Sequence, residues 1–315
     1  MAPVRPTADA AAGAGRYAVA YMLLTLSALT WAGNIIVGRF VHDQIPPVAL
    51  SFWRWAIALA VLLPFTRVVA LQQRDLILRH WRILALLGAT GIAFFNICLY
   101  QALHFTGAVN AALFMSTTPI MIVVLSWVLV KDRLSGRQAL GIGVSLAGAV
   151  ILIVRGDFGR LLQLQFNAGD LWMLLAVPNW ALYSVLLRRL PPGIHPMALV
   201  TVVALFGVAI LAPVYVWELA RGGAFELNRT TISSIAYISL FPSILAYMCW
   251  NHGVSRVGAN RAGLFMHLIP LFGAVLAIVA LGEAVRLFHL AGAGLIFSGI
   301  YLVTAAGSVI GQKSH

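Results

Sequence analysis

The sequence predicts an all-α polytopic membrane protein, with ten transmembrane helices arranged as two inverted-topology five-helix repeats. Three observations support this fold class. Of the 315 residues, 61% are hydrophobic and only 10% are charged, which is too apolar for a water-soluble core of normal proportions. Ten apolar stretches of about 20 residues occupy most of the chain. The second half of the chain also repeats the pattern of the first.

The first five apolar stretches lie near residues 17–40, 48–69, 82–103, 109–130 and 138–154. Each is long enough for a helix to cross a hydrocarbon core of roughly 30 Å. The first stretch is long for a signal peptide and contains Trp31 and Asn34, so we expect an uncleaved span. Residues 1–16, rich in Ala, Gly and Pro, predict a mobile cytoplasmic tail.

The second five stretches lie near residues 170–187, 197–217, 231–250, 262–281 and 287–309. Only short loops remain between the ten stretches, so we expect no soluble domain. The sequence therefore divides into a first five-helix unit over 17–155, a second over 156–309, and a cytoplasmic tail over 310–315.

The two units are related by an internal repeat. A shift of 151 residues aligns 98–148 with 249–299 without a gap, and 14 of these 51 pairs are identical. Apolar composition alone would give about a third as many matches. A shift of 149 residues aligns Trp31 with Trp180 in the first span of each unit. Because each unit has an odd number of spans, the second must enter the membrane from the opposite side.

The net charge of +12 does not indicate a nucleic-acid partner, since the basic residues are dispersed among the loops. With the N-terminus in the cytoplasm, cytoplasmic segments carry 14 Arg and Lys residues and the opposite side carries 6. This asymmetry follows the positive-inside rule. We expect a multi-pass plasma membrane protein, in the bacterial inner membrane, with both termini cytoplasmic. The lipid bilayer is then its expected partner, and the sequence leaves its oligomeric state open.

Several segments resemble a known family. They are WAGNIIVGR at Trp31–Arg39, PPVALSFWR at Pro46–Arg54, Gly107–Pro119 with its echo at Gly258–Pro270, and the acidic residues Asp132 and Glu283 that end spans four and nine. The chain resembles the drug/metabolite transporter superfamily, specifically its EamA-type ten-span members, and is similar in size to aromatic amino acid exporters of the YddG type. The resemblance implies export or exchange of amino acids, metabolites or drugs. It also implies a central cavity lined mainly by spans one, three, four, six, eight and nine.

Polar side chains inside apolar spans are costly in lipid and tend to face a cavity or one another. In span three, Asn96 and Tyr100 lie four residues apart, on one helix face. In span eight, Tyr247 and Asn251 repeat this spacing beside Trp250. The 151-residue shift places the first pair on the second. We predict that these residues bind substrate; hydrogen bonding between helices is the alternative.

Span one offers Trp31 and Asn34, which the 149-residue shift places on Trp180 and Tyr183 of span six. Their rings combine flat apolar faces with a hydrogen-bonding edge, which suits aromatic or bulky apolar substrates. We therefore add these four residues to the predicted binding site. Four further tryptophans near span ends are expected in the interfacial belt: Trp53, Trp55, Trp81 and Trp217.

Two other positions have two interpretations each, and two prolines have one. Arg54 is the cation deepest in an apolar span, so it either contacts a substrate carboxylate or has a structural role. His267 is predicted to bind substrate or carry a proton, and packing against a neighbouring helix is its alternative. Pro119 and Pro270, matched by the repeat, are candidate hinges, because proline frees backbone carbonyls.

The nine carboxylates all fall in loops or at span ends. Carriers driven by protons or sodium usually keep such a group at the midplane, so passive or exchange transport is plausible. Paired acids, a metal-ligand cluster and a catalytic Ser/His/Asp grouping are absent from the sequence pattern, and we expect no enzyme activity, metal or cofactor.

The sequence thus predicts a transporter of small molecules, either an exporter or a facilitative carrier, that works by alternating access around a central cavity. We expect its substrates to be amino acids with aromatic or large apolar side chains. Two alternatives stay open at this point: export of drugs or other metabolites, and an integral-membrane enzyme or assembly scaffold.

Overall fold

The computed structural model describes residues 8–281 and 284–304. Within them, ten helices are long and apolar enough to cross a membrane, which confirms the predicted all-α, ten-span fold. In chain order they are α1 (Tyr17–Phe40), α2 (Pro47–Gln72), α3 (Trp81–Phe105), α4 (Val109–Val130), α5 (Gly136–Ile153), α6 (Ala168–Arg189), α7 (Pro196–Ala220), α8 (Arg229–Val257), α9 (Ala259–Val279) and α10 (Leu287–Thr304).

The mobile tail expected before α1 stays a prediction, and its described part is helical. The helix that contains α1 already begins at Ala8, and residues 8–16 are rich in alanine, the residue with the highest helix propensity. Residues 1–7 and the predicted tail over 310–315 lie outside the described residues. The unit boundaries at 17–155 and 156–309 stay predictions.

Helix contacts follow the internal repeat. α1 packs against α8 and α9, and its counterpart α6 packs against the corresponding helices α3 and α4. α2 contacts α7, α4 contacts α9, and α5 contacts α10, so each of these helices meets its own counterpart. Two units related by a pseudo-two-fold axis produce this set of contacts.

The contact between α5 and α10 shows that equivalent helices run in opposite directions. A Cβ atom at Gly141 would lie 2.8 Å from the carbonyl oxygen of Gly299, and one at Gly148 would lie 2.6 Å from that of Gly292. The start of α5 therefore meets the end of α10. We call these four glycines the glycine seam. Its antiparallel arrangement is the one that inverted repeats require.

Gly143 and Gly294, which the repeat also aligns with each other, do not belong to this seam. Neither has any atom within 4 Å of an added Cβ. Gly143 lies two residues from Gly141, which is about 200° around the helix, so it faces away from the seam.

The matched prolines coincide with breaks in two helices. α4 consists of Ala108–Ser116 and Thr118–Val130, with the interruption just before Pro119. α9 contains a 3₁₀ turn at Phe265–His267, just before Pro270. Proline lacks the N–H that would continue the helical hydrogen bonding, which accounts for both interruptions. Their role as hinges stays a prediction.

α3 and α8 each contain a π-helical segment, at Gly88–Phe94 and Ser239–Leu245. The two segments are 151 residues apart, so they occupy equivalent positions in the repeat. The sequence analysis did not anticipate them. A π-helical segment changes the hydrogen-bond register and is frequent at functional sites, and both segments lie beside the site described next.

Candidate functional site

Five predicted site residues from α1, α6 and α8 form one buried group, which we call the aromatic cluster: Trp31, Trp180, Tyr183, Tyr247 and Trp250. The Trp31 ring centroid lies 4.9 Å from that of Trp180 and 5.3 Å from that of Trp250. Tyr247 lies 5.4 Å from Trp180, edge to face. The cluster thus brings together side chains from both five-helix units.

Trp55 also belongs at this centre, so its assignment to the interfacial belt is wrong. Its side chain is 0% exposed, and its ring centroid lies 4.7 Å from that of Tyr247. Its position as the ninth residue of α2 was the available signal, since this places it deeper than Trp53. Phe95, which the sequence analysis missed, packs 4.9 Å from Trp180.

Arg54 is 1% exposed and reaches the centre from α2. Its Nε donates to Ser243 Oγ at 2.8 Å. Its Nη1 donates to Asn96 Oδ1 at 2.7 Å and to the Tyr100 hydroxyl at 2.8 Å. Tyr100 in turn donates to Asn34 Oδ1 at 2.9 Å. Three predicted site residues therefore converge on one buried cation.

The partners of Arg54 are all neutral. Among the described residues, no carboxylate lies within salt-bridge distance of this guanidinium. A buried charge is costly unless it is paired, and here only neutral oxygens offset that cost. The geometry suits the addition of an anionic group.

The π-helical segments supply backbone acceptors in the middle of the protein. The Tyr247 hydroxyl donates to the Gly91 carbonyl at 2.5 Å, and Trp31 Nε1 donates to the Pro242 carbonyl at 3.1 Å. Asn96, which follows the α3 segment, donates its amide to a carbonyl within it. Carbonyls released by an irregular helix are tolerated at this depth when side chains satisfy them.

Asn251 lies on the other side of the cluster and is joined to it by Tyr183. The Tyr183 hydroxyl donates to Asn251 Oδ1 at 2.8 Å. Both side chains are buried. Asn251 also lines a space of about 610 Å³, so it lies between that space and the aromatic cluster.

The central cavity has a volume of about 20 Å³, room for about one water molecule. Its lining comes from α1, α3, α4, α6, α8 and α9, as the resemblance implies, and also from α2 through Arg54. At this volume the centre of the protein is closed. Five predicted site residues line it: Trp31, Asn34, Arg54, Trp180 and Tyr247.

Two larger spaces flank this closed centre. One, of about 610 Å³, is lined by Arg188, Arg256, Arg261 and Asn251. The other, of about 230 Å³, lies between α1, α4, α5, α9 and α10 and is mostly apolar. It shares four lining side chains with the central cavity, so a single layer of residues separates the two: Ile35, Met115, Met266 and Ile269.

His267 does not line the central cavity. With its proton on Nε2, it donates to the Ser116 carbonyl at 2.9 Å, and its Nδ1 accepts from Ser145 Oγ at 2.8 Å. Ser116 is the residue equivalent to His267 in the repeat, so the two positions meet between the units. Both ring nitrogens are therefore occupied by packing contacts in this state.

The described residues contain no group of three or more His, Cys, Asp or Glu side chains arranged to hold a metal ion. Aromatic faces, amide groups and one guanidinium surround the central cavity, and these groups are suited to binding a ligand.

Comparisons with known proteins agree with this fold. The model of the EamA-like transporter family matches residues 18–154 and 167–305, once in each half of the chain. A solved crystal structure aligns with 93% of this chain and 98% of its own, with a TM-score of 0.68 and 20% identity. At that identity the likeness shows the fold alone.

Curated relatives match over nearly the whole chain. The uncharacterized transporter YyaM of Bacillus subtilis is 27% identical and covers 91% of this chain and 93% of its own length. A probable terminal-alkyne amino-acid exporter of Streptantibioticus cattleyicolor is 25% identical, covering 89% and 91%. A probable amino-acid metabolite efflux pump of Salmonella typhimurium is 26% identical, covering 89% and 93%.

Proposed function

Because this chain belongs to the EamA-like transporter family, and is therefore a multi-pass membrane transporter of a small molecule, we propose that it carries amino acids with aromatic or large apolar side chains. One observation carries the proposal. The aromatic cluster and the buried Arg54 meet at a single cavity between the two inverted units.

The two parts of the site suit two parts of such a substrate. The rings of Trp31, Trp180 and Tyr247 offer flat apolar surfaces to an aromatic or bulky side chain. The guanidinium of Arg54, held only by neutral oxygens, offers a charged partner to the α-carboxylate. Two of the relatives are named as exporters of amino acids or their metabolites, which supports this substrate class.

Transport proceeds by alternating access between the two flanking spaces. Substrate enters from one of them as the layer next to it opens, and the two five-helix units then rock to open the other layer. Pro119 and Pro270 allow the bending, since both lie just after helix interruptions. The closed centre is the occluded intermediate of this cycle.

We further propose passive or exchange transport in the inner membrane, with both termini cytoplasmic. The sequence places no carboxylate in the middle of a span, and the ring nitrogens of His267 are both engaged. Substrate then equilibrates along its own gradient, and a proton or sodium gradient does not concentrate it.

The test is uptake by proteoliposomes that contain only this protein. Labelled phenylalanine, tryptophan and leucine should equilibrate into them, and alanine, aspartate and lysine should enter no faster than into protein-free liposomes. The variant Trp180→Leu should abolish uptake. Trp127→Leu, a change at an α4 residue that is 58% exposed, is the matched control and should leave uptake unchanged. Uptake of unrelated drugs with no amino-acid uptake would overturn the proposal.

A further inference from the structure

The buried groups of the central site that lack a hydrogen-bond partner are donors. Three buried indole nitrogens there have no partner among the described residues: Nε1 of Trp55, Nε1 of Trp180 and Nε1 of Trp250. All three are N–H donors. Asn251 Nδ2 is also unpartnered, but it lies at the space of about 610 Å³, where Asn260 Oδ1 is an unpartnered acceptor. Buried polar groups in folded proteins are nearly always satisfied, so a set of orphaned donors at one place points to a ligand that brings acceptors.

The oxygens at the same site are already engaged. The side-chain carbonyls of Asn34, Asn96 and Asn251 each accept from a neighbouring tyrosine or arginine. The backbone carbonyls of Gly91 and Pro242 accept from the aromatic cluster. A ligand that brings further donors must therefore share these carbonyls with the hydrogen bonds that they already accept, or use the tyrosine hydroxyl oxygens, whereas a ligand that brings acceptors meets donors without any partner.

The net charge of the central site also favours a ligand with acceptor oxygens. Arg54 contributes one buried positive charge, and no described carboxylate lies within salt-bridge distance of it. A carboxylate brings a negative charge and two acceptor oxygens without any donor. An ammonium brings three donors and a second positive charge, which adds to both imbalances.

We propose that the central site recognises an aromatic carboxylate and does not require the α-ammonium group of its substrate. Deaminated, 2-oxo and 2-hydroxy forms of aromatic amino acids then bind to the same site as the amino acids themselves. This inference rests on the proposed function and narrows it, since it says which functional group of the substrate is recognised.

The first test measures binding to the purified full-length chain by titration calorimetry. Three ligands share one ring: phenylalanine carries both groups, 3-phenylpropanoate carries only the carboxylate, and phenethylamine carries only the ammonium. We expect 3-phenylpropanoate to bind at least as tightly as phenylalanine and to displace it, and we expect phenethylamine not to compete.

A second test removes one orphaned donor but keeps its ring. Trp250→Phe should weaken the binding of 3-phenylpropanoate by about tenfold, the effect of one hydrogen bond to a charged group. Trp81→Phe, at a residue that is 50% exposed, is the control and should bind as the wild type does. A structural defect in Trp250→Phe would lower its melting temperature without ligand, so both variants are also compared in that state.

The outcomes separate this inference from the proposed function. If phenylalanine is transported but 3-phenylpropanoate does not bind, or phenethylamine competes, the inference is wrong and the amino-acid assignment stands. If phenylalanine is not transported while 3-phenylpropanoate binds, the amino-acid assignment is wrong and the carboxylate site stands. If none of the three ligands binds and none is transported, both are wrong.

Discussion

The aromatic cluster and the glycine seam lie at two contacts between the same two units. The seam is built from backbone atoms, and the cluster is built from large side chains. In the seam, a backbone carbonyl occupies the place of a Cβ atom, so α5 and α10 touch along their main chains. In the cluster, large side chains meet one another, and rings or amides can change rotamer without moving a helix axis. The seam therefore fixes the two units together, and the cluster is the region where their contact can change.

The two regions also differ in symmetry. The seam uses glycine on both sides of the repeat, at Gly141 with Gly292 and at Gly148 with Gly299. The centre departs from the repeat, because the residue 149 positions after Arg54 is Val203. Shared positions build the fold in both units, and the unshared cation gives the site its chemical preference.

The largest expected effect on stability comes from overfilling the seam. Gly148→Ala places a methyl group 2.6 Å from the Gly292 carbonyl oxygen, and backbone atoms cannot move aside as a side chain can. We expect a destabilisation of about 1–3 kcal/mol, read as a lower melting temperature and a smaller monodisperse fraction in detergent. Gly143→Ala is the control on the same helix, has open space around it, and should melt like the wild type. Equal behaviour of the two variants would remove the distinction between seam and cluster.

At the centre, the expected effect falls on transport instead of folding. Arg54→Met removes the buried charge and keeps an unbranched side chain. The change removes the cost of burying an unpaired charge but leaves Asn96 Oδ1 without its donor, so we expect a stability loss of no more than about 1 kcal/mol. Uptake of amino acids should fall by more than tenfold, since one charged hydrogen bond alone is worth about 1.5–3 kcal/mol. Arg221→Met, at an exposed cation after α7, should keep full uptake; wild-type uptake by Arg54→Met would leave Arg54 with a structural role only.

Much of this architecture is readable from the sequence, because span length, apolar composition and the repeat are properties of the chain itself. The pairing of Trp31 with Trp180 followed from the repeat, and the two rings do meet. What the sequence could not supply is helix rotation, which is set by the partners of each helix. Trp55 was misassigned for that reason, since it faces a direction that only the packed structure defines.

The π-helical segments and the closed cavity were missed for a different reason. Pro242 lies within the α8 segment and glycines lie within the α3 segment, but such residues also occur in regular transmembrane helices. The size of the cavity depends on which state of the transport cycle is present, and the sequence encodes all of these states at once.

A smaller effect is expected from one hydrogen bond in the cluster. Tyr247→Phe keeps the ring and removes the hydroxyl that donates to the Gly91 carbonyl. We expect a loss of about 1 kcal/mol of stability, because a buried acceptor loses its partner. Tyr301→Phe, at an exposed residue of α10, is the control and should show no loss. Chemical unfolding in mixed micelles measures both, and a loss as large as that of Gly148→Ala would mean that the cluster is as rigid as the seam.

The last prediction concerns the direction of the seam helices and should leave transport unchanged. After Cys98 and Cys249, both buried, are replaced with alanine, a single cysteine is introduced at Arg133, shortly before α5, or at Val285, shortly before α10. Both positions are exposed loop sites. Because α5 and α10 are antiparallel, a membrane-impermeant thiol reagent added outside intact cells should label only the Val285→Cys variant. The positive-inside asymmetry further places Arg133 in the cytoplasm, so its cysteine should be labelled only after the cells are opened. Labelling of both variants from the same side would contradict the inverted repeat, and labelling of Arg133→Cys alone from outside would keep the repeat but reverse the orientation of the whole chain.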